Sequence, residues 1–519
     1  MLPEFRNEPF TDFSQPENVA AFRAALDQVK AEIGQTYPLV IGGERITLEQ
    51  TFPSINPSRS EEVLGNFSKG GQKEADQAMA AALSAFESWR FVPGQERARY
   101  LLRAAAEMRR RKHELSAVMV LEVGKSWAEA DGDTAEAIDF LEYYARQMIR
   151  LSDVDHMLTP YSPEQLHLEY IPLGVGLVIP PWNFPGAIPA GLVAAAIVAG
   201  NTVIFKPASQ SPWTAYKLSE ILWNSGLPKG VLNFLTGPGG STGSYLVTHP
   251  QTRFIGFTGS KEVGIWIHEN AAKVQPGQLW LKRTILEMGG KDAVVVDETA
   301  DLESAAQGIV SSAFGFQGQK CSAGSRAIIV DAVYDRVTNR VVELAKQLTV
   351  DAPDKGPEVF NGGVIDNKAF KTIMDYIEVG TQEGTLLCGG QPKETPEKGY
   401  FIPPTVFGDV PSNARIAQEE IFGPVLSIIR AQDFEDALAI ANGTEFGLTG
   451  ALYSNDRERL ERARREFHVG NLYFNRKCTG ALVGVHPFGG FNMSGTDSKT
   501  GGPDYLLLFT QAKSVAEKL

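Results

Sequence analysis

From Val175 to Phe257 short apolar runs of strand length alternate with longer runs of helical spacing, and this alternation restricts the chain to one broad architecture. Val175-Gly-Leu-Val-Ile, Thr202-Val-Ile-Phe, Val231-Leu-Asn-Phe-Leu and Arg253-Phe-Ile-Gly-Phe read as strands, separated by helices over 188–199, 213–223 and 241–247. Strands joined through helices pair in parallel, which predicts a doubly wound α/β sheet. Such sheets bind nucleotides at the carboxyl ends of their strands. A second block repeats the pattern: Ala293-Val-Val-Val, a helix over 302–314, Ala327-Ile-Ile-Val, a helix over 333–348, then Thr405-Val-Phe and Gly470-Asn-Leu-Tyr-Phe-Asn. At 519 residues the chain exceeds what one core supports, so the blocks are expected as two domains.

Upstream, Val19, Phe22, Leu26 and Val29 fall at helical spacing after Pro16, so residues 1–36 read as a helical extension. Tyr37-Pro-Leu-Val-Ile-Gly-Gly-Glu-Arg-Ile predicts a hairpin with a Gly-Gly turn. From Gln72 to Arg150 the pattern is helical, with apolar stripes through Ala78, Ala82 and Trp89 and through Ile138, Leu141 and Tyr144. A charge on such a helix, Glu136 for instance, is ordinarily solvated. The apolar run from Gly186 to Gly200 is shorter than the ~20 residues that span a bilayer, which predicts a buried helix and no membrane span. The opening Met1-Leu-Pro-Glu-Phe lacks a signal-peptide core, and three scattered cysteines, Cys321, Cys388 and Cys478, point to a reducing compartment, hence to a cytoplasmic enzyme. A net charge of −13 without a basic arm argues against nucleic acid as a partner. The histidines show no metal-ligand spacing, so no metal is expected.

Chemistry concentrates at Phe314-Gly-Phe-Gln-Gly-Gln-Lys-Cys-Ser-Ala-Gly-Ser-Arg326, a glycine-rich turn that presents Cys321. The cysteine reads either as a nucleophile, its thiolate favoured by Lys320 next to it, or as a buried core residue. Gly256-Phe-Thr-Gly-Ser-Lys-Glu-Val-Gly264 ends a strand and opens a helix. The free N–H groups of that helix start suit a phosphate, and a plain turn with a serine N-cap fits the same residues.

Taken in order, Pro181-Trp-Asn-Phe-Pro185, Phe205-Lys-Pro207, Phe257-Thr-Gly-Ser260, Leu286-Glu-Met-Gly-Gly-Lys291, Gly318-Gln-Lys-Cys-Ser322, Glu420-Ile-Phe-Gly-Pro424 and Pro487-Phe-Gly-Gly490 resemble the NAD(P)-dependent aldehyde dehydrogenase superfamily. The resemblance runs over nearly the whole chain from residue 37. Within that superfamily the stretches from Cys478 to Gly490 and from Ser494 to Tyr505 resemble the 1-pyrroline-5-carboxylate dehydrogenases, which oxidise L-glutamate γ-semialdehyde in proline catabolism.

The resemblance implies that Cys321 adds to the aldehyde, that the Asn183 amide and the Cys321 N–H hold the oxyanion, and that Glu287 is the base for the deacylating water. It implies NAD as cofactor, with Lys206 on the adenosine ribose, Gly256 and Ser260 near the pyrophosphate, Glu420 on the nicotinamide ribose and Phe422 packed beside it. Ser209 stands where many NAD-preferring members carry a carboxylate, so use of NADP stays open. For the substrate the resemblance places Ser322 and the N–H groups of Gly480 and Ala481 on the α-carboxylate, with Glu136 near the amino group and Lys320 in the same site. Phe184 and Phe491 line the aliphatic passage or pack in the core.

The implied fold is a Rossmann-like, doubly wound cofactor domain (37–151 and 173–286), an α/β catalytic domain (287–490) and a small β oligomerisation arm (152–172 and 491–519). The tail Leu506-Leu-Leu-Phe-Thr is read as a strand that pairs elsewhere, such as on a sister subunit. The implied reaction converts L-glutamate γ-semialdehyde, NAD and water to L-glutamate and NADH in a homo-oligomer, with proline dehydrogenase as its metabolic neighbour. Two other readings stand beside it. One is a dehydrogenase for another aliphatic aldehyde or semialdehyde. The other is a non-oxidative cysteine hydrolase or a structural protein, against which the Lys206 and Glu420 motifs argue.

Overall fold

A computed structural model describes residues 3–154 and 157–519; residues 1 and 2, heading the expected extension, and 155 and 156, inside the expected arm, lie outside the described residues. Both α/β blocks form sheets of seven strands. In the first, the strand order is Arg283–Glu287, Phe254–Thr258, Val175–Ile179, Thr202–Phe205, Leu232–Phe234, Leu39–Ile41, Glu44–Ile46. The first five are mutually parallel, and the Gly42-Gly43 hairpin adds an antiparallel edge. The β-branched runs fit this place because helices cover both faces, and the three strands from 175, 202 and 232 are buried almost throughout. The chain winds outward from strand 175–179 through 202–205 to 232–234, then returns to 254–258 on the other side. That reversal opens a crevice at the carboxyl ends of 175–179 and 254–258.

The second sheet runs Thr385–Cys388, Thr405–Gly408, Val425–Ala431, Arg326–Val330, Ala293–Val296, Thr449–Tyr453, Asn471–Phe474. Its strands are parallel except for the antiparallel edge at 385–388. The apolar run at 186–200 forms the Ala187–Val198 helix, buried at every position but Ile188. Among the described residues no helix is long and apolar enough to cross a membrane.

The N-terminal extension and the tail differ from expectation. Among the described residues of the extension only Pro16–Lys30 is helical. Residues 3–15 run as an irregular strap, because Pro3 and Pro9 supply no N–H and disrupt helical bonding. Tyr505–Phe509 is a tight helical turn, with Tyr505, Leu506 and Phe509 buried in the body. The strand begins only at Thr510, and Thr510–Lys518 pairs antiparallel with Glu164–Pro172 of its own chain. Residues 491–509 therefore pack on the body. Phe491–Asn492 pairs with Phe446–Gly447, Gly495 bridges Glu287, and the Thr496 N–H donates to the Leu286 carbonyl.

Candidate active site

The Leu302–Phe314 helix ends at the turn that carries Cys321. Phe316 and Gln317 adopt left-handed backbone, φ 50° and 56°, at a cost of about 1–3 kcal/mol each. The surroundings hold them there. Gln317 Nε2 donates to the carbonyls of Gly124 (2.9 Å) and Gly363 (3.0 Å), and Gln319 Oε1 accepts from the Ile365 N–H (2.9 Å). At Gly318, itself at φ 67°, a Cβ would lie 2.2 Å from the Gly423 carbonyl oxygen, so glycine is required.

Cys321 opens into a cavity of about 520 Å³ whose lining includes Glu287, Glu136, Phe184, Lys320 and Ser322 together with Gly480 and Ala481. Glu287 ends strand 283–287 and is buried against the returning 488–500 segment. Its Oε1 accepts from Ser498 Oγ and its Oε2 from the Gly490 N–H at 3.3 Å. Burial outweighs these bonds and raises its pKa to about 7, the range of a working general base. The Cys321 thiol is pushed well up, first by burial and then by Asp292, Glu420 and Glu287. This corrects the expectation for Lys320. Its ammonium is paired with Glu129 at 2.7 Å, and burial together with the nearby carboxylates favours the protonated thiol.

Asn183 is buried and donates through Nδ2 to the Gln319 carbonyl (3.1 Å), which anchors it beside the Cys321 turn. An amide nitrogen carries two hydrogens, so one remains for a ligand. Among the described residues no acceptor takes the backbone N–H of Cys321, Gly480 or Ala481. Arg476 shapes the 479–482 loop, donating to the carbonyls of Thr479 (2.8 Å) and Gly480 (3.0 Å).

On the opposite wall Glu136, which the resemblance placed near the amino group, does line the cavity, and Glu129 and Asp133 join it there. Glu129, Asp133 and Glu136 fall at i, i+4 and i+7 on the Trp127–Leu151 helix and all line the cavity. For Glu129 and Asp133 that acidic spacing is the signal the sequence held, and it looks like a solvated face. Lys125 and Asp133 form a fully buried ion pair at 2.7 Å, and the Lys125 ammonium sits 3.9 Å from the centre of the Phe184 ring. Burial, then Asp133, raises the Glu136 pKa to about 8. Phe491 lies outside the cavity, its ring 5.1 Å from His468, because the short 491–492 strand turns it away. Phe488 lines the cavity instead.

On the crevice side Lys206 follows strand 202–205 and is buried, its Nζ reaching, among the described residues, only the Pro207 carbonyl at 3.5 Å. Burial alone lowers its pKa to about 8. Ser209 is exposed. Ser260 caps the Lys261–Ala271 helix, its Oγ accepting from the Val263 N–H at 3.4 Å. Gly256 sits mid-strand, where a Cβ would lie 3.1 Å from Leu192, so its smallness serves helix packing rather than a strand-end contact. Glu420 accepts from the Gly290 N–H at 3.0 Å, and burial raises its pKa to about 7. Phe422 packs edge-on against Trp182 at 5.6 Å. Lys291, which the sequence reading passed over, is buried with no partner for Nζ among the described residues. A buried ammonium and a buried carboxylate with so few bonds, with a helix N-terminus at the same strand ends, match the hydroxyls and pyrophosphate of a dinucleotide. The residues fit a nicotinamide dinucleotide.

Comparison with known proteins agrees with this geometry. The aldehyde dehydrogenase family model matches residues 46–515. The chain is 60% identical over 517 residues to the 1-pyrroline-5-carboxylate dehydrogenase of Geobacillus thermodenitrificans, covering 100% of both chains. It superposes on the 1-pyrroline-5-carboxylate dehydrogenase from Thermus with bound NAD at a TM-score of 0.98, with 52% identity and 100% of both chains covered. It also matches the proline utilization A protein from Bdellovibrio bacteriovorus at a TM-score of 0.96 and 46% identity, over 99% of this chain and 53% of that one. A cysteine on a strained turn, a buried glutamate across one cavity and a dinucleotide crevice at the sheet switch point thus coincide with a family match over most of the sequence, and the chain belongs to the aldehyde dehydrogenase family.

Proposed function

We propose that the chain oxidises L-glutamate γ-semialdehyde, the open form of 1-pyrroline-5-carboxylate, to L-glutamate with NAD and water. The observation that carries this reading is the head-group end of the Cys321 cavity. The unclaimed N–H groups of Gly480 and Ala481 suit a carboxylate, and the acidic helix face suits an ammonium, so one cavity meets both charges of an α-amino acid. The full-length similarity to 1-pyrroline-5-carboxylate dehydrogenases supports it.

In this reading Glu287 takes the Cys321 proton and the sulfur adds to the aldehyde carbon. The Asn183 amide and the Cys321 N–H hold the oxyanion, each donor typically worth about 3–4 kcal/mol. Bound NAD, held by Lys206, Glu420 and the helix capped by Ser260, supplies a hydride acceptor. The acyl group is then left on Cys321 as a thioester. Glu287, having lost its first proton to solvent, takes a proton from the attacking water; the C–S bond breaks to release the carboxylic acid, and that proton returns to the sulfur as the thiol.

We place the protein in the cytoplasm, as its three free cysteines suggest, and in a homo-oligomer that uses the exposed 510–518 strand of the arm. The match to a proline utilization protein supports proline dehydrogenase as the supplier of substrate. The test is NADH formation with 1-pyrroline-5-carboxylate against propanal and succinate semialdehyde, repeated with NADP. A higher kcat/KM for the first is expected. Equal or better rates with the others would return the substrate to another aliphatic aldehyde.

A further inference from the structure

Residues 3–13 cross the mouth of the cavity as a strap. Asn7 Nδ2 donates both to Asp139 Oδ2 (2.8 Å) and to the Val483 carbonyl (3.0 Å), so one side chain joins the Trp127–Leu151 helix to the loop that carries Gly480 and Ala481. The Glu8 N–H donates to the other Asp139 oxygen (2.7 Å), and the Thr11 N–H to Asp131 (2.7 Å). Lys112 donates to the Pro9 carbonyl (2.8 Å), and Phe5 packs edge-on against Tyr143 at 5.2 Å. Between the anchors at Glu8 and Thr11 the chain presents Phe10, 65% exposed and yet part of the cavity lining, beside Gly132.

Two consequences follow from this placement. The phenyl ring lies beside Gly132, about one helical turn from Glu136, so it is placed to act against aldehydes with bulkier or longer far ends. The strap also occupies both oxygens of Asp139, a buried carboxylate in the lining that would otherwise face a substrate carboxylate without a partner. We infer that Phe10 is a specificity-determining residue of the aldehyde cavity and that Asn7 is a positioning residue for the head-group loop. The inference rests on the substrate reading above only for the identity of the head group.

The test compares wild type, Phe10→Ala, Phe10→Leu and Asn7→Ala on L-glutamate γ-semialdehyde, propanal and a long aliphatic aldehyde. Phe10→Ala is expected to shift the kcat/KM ratio toward the long aldehyde by about tenfold, with Phe10→Leu between. Asn7→Ala is expected to raise KM for the semialdehyde by roughly fivefold while leaving kcat, and the KM of propanal, unchanged. Phe10 is exposed, so both of its variants are expected to melt as wild type does. An unchanged ratio in Phe10→Ala overturns the specificity role, and an equal KM change for all three aldehydes in Asn7→Ala overturns the positioning role. A wild type that favours another aldehyde defeats the substrate reading alone, because the Phe10 ratio is measured whichever aldehyde is best.

Discussion

On the cavity side of the first sheet's strand ends three charges have protein partners: Lys125 rests on Asp133, Lys320 on Glu129, and Asp139 accepts from Asn7 and Glu8. On the crevice side, among the described residues, Lys206 reaches one carbonyl at 3.5 Å and Glu420 one N–H. Both sides bury ionisable groups, and burying one without a partner is costly. The paired side is therefore shaped before substrate arrives, while the bonds missing on the other side are those a dinucleotide supplies. Catalysis and stability should separate along this line.

The largest effect expected is at Cys321. Cys321→Ala should lower turnover by about 10⁴-fold or more while NAD binding, followed by fluorescence, is unchanged. A parallel loss of cofactor affinity would show that the two sides are not independent. Glu287→Gln should cost roughly 10²–10⁴-fold in steady-state rate. Because the Glu287 pKa lies near about 7, the residue is protonated below that pH and ionised above it. Deacylation should accordingly rise with pH through neutrality in wild type, and a stopped-flow profile of the Gln variant should lose that rise.

Asp133→Ala removes one partner of a fully buried pair and leaves the Lys125 ammonium alone. It should cost about 3–5 kcal/mol in denaturant unfolding. Lys206→Met tests the other side, where no ion pair is lost. Stability should hold or rise, while NAD dissociation constants measured by calorimetry increase about tenfold. A Lys206→Met protein as destabilised as Asp133→Ala would erase the contrast between the two sides.

Much of the fold was readable because its signals are local. The period of the apolar runs at 175–257 and 293–330 marked strands and helices, and the Gly42-Gly43 turn marked its hairpin. Cys321, Glu287 and Glu420 stood in short motifs whose order along the chain is itself informative. What failed was non-local. Phe491 was expected in the aliphatic passage or the core, and the pairing with 446–447 turns it from the cavity, which Phe488 lines instead. Lys320 looked like an activator of its neighbour until Glu129, far back in the sequence, claimed it. The tail's leucines looked like a strand, but Leu506 and Phe509 share the three-residue spacing of a tight helical turn that the body buries.

The sequence by itself determined the α/β alternation, the buried central helix and the glycine-rich turn that presents Cys321, since these depend on periodicity and on backbone preferences within a few residues. The tertiary structure decided which charges are paired, how far burial moves the Glu287 and Glu136 carboxyls, and that a proline-broken strap brings Phe10 to the cavity mouth. Burial and electrostatic environment are sums over neighbours brought together from all parts of the chain. No local window of sequence contains them.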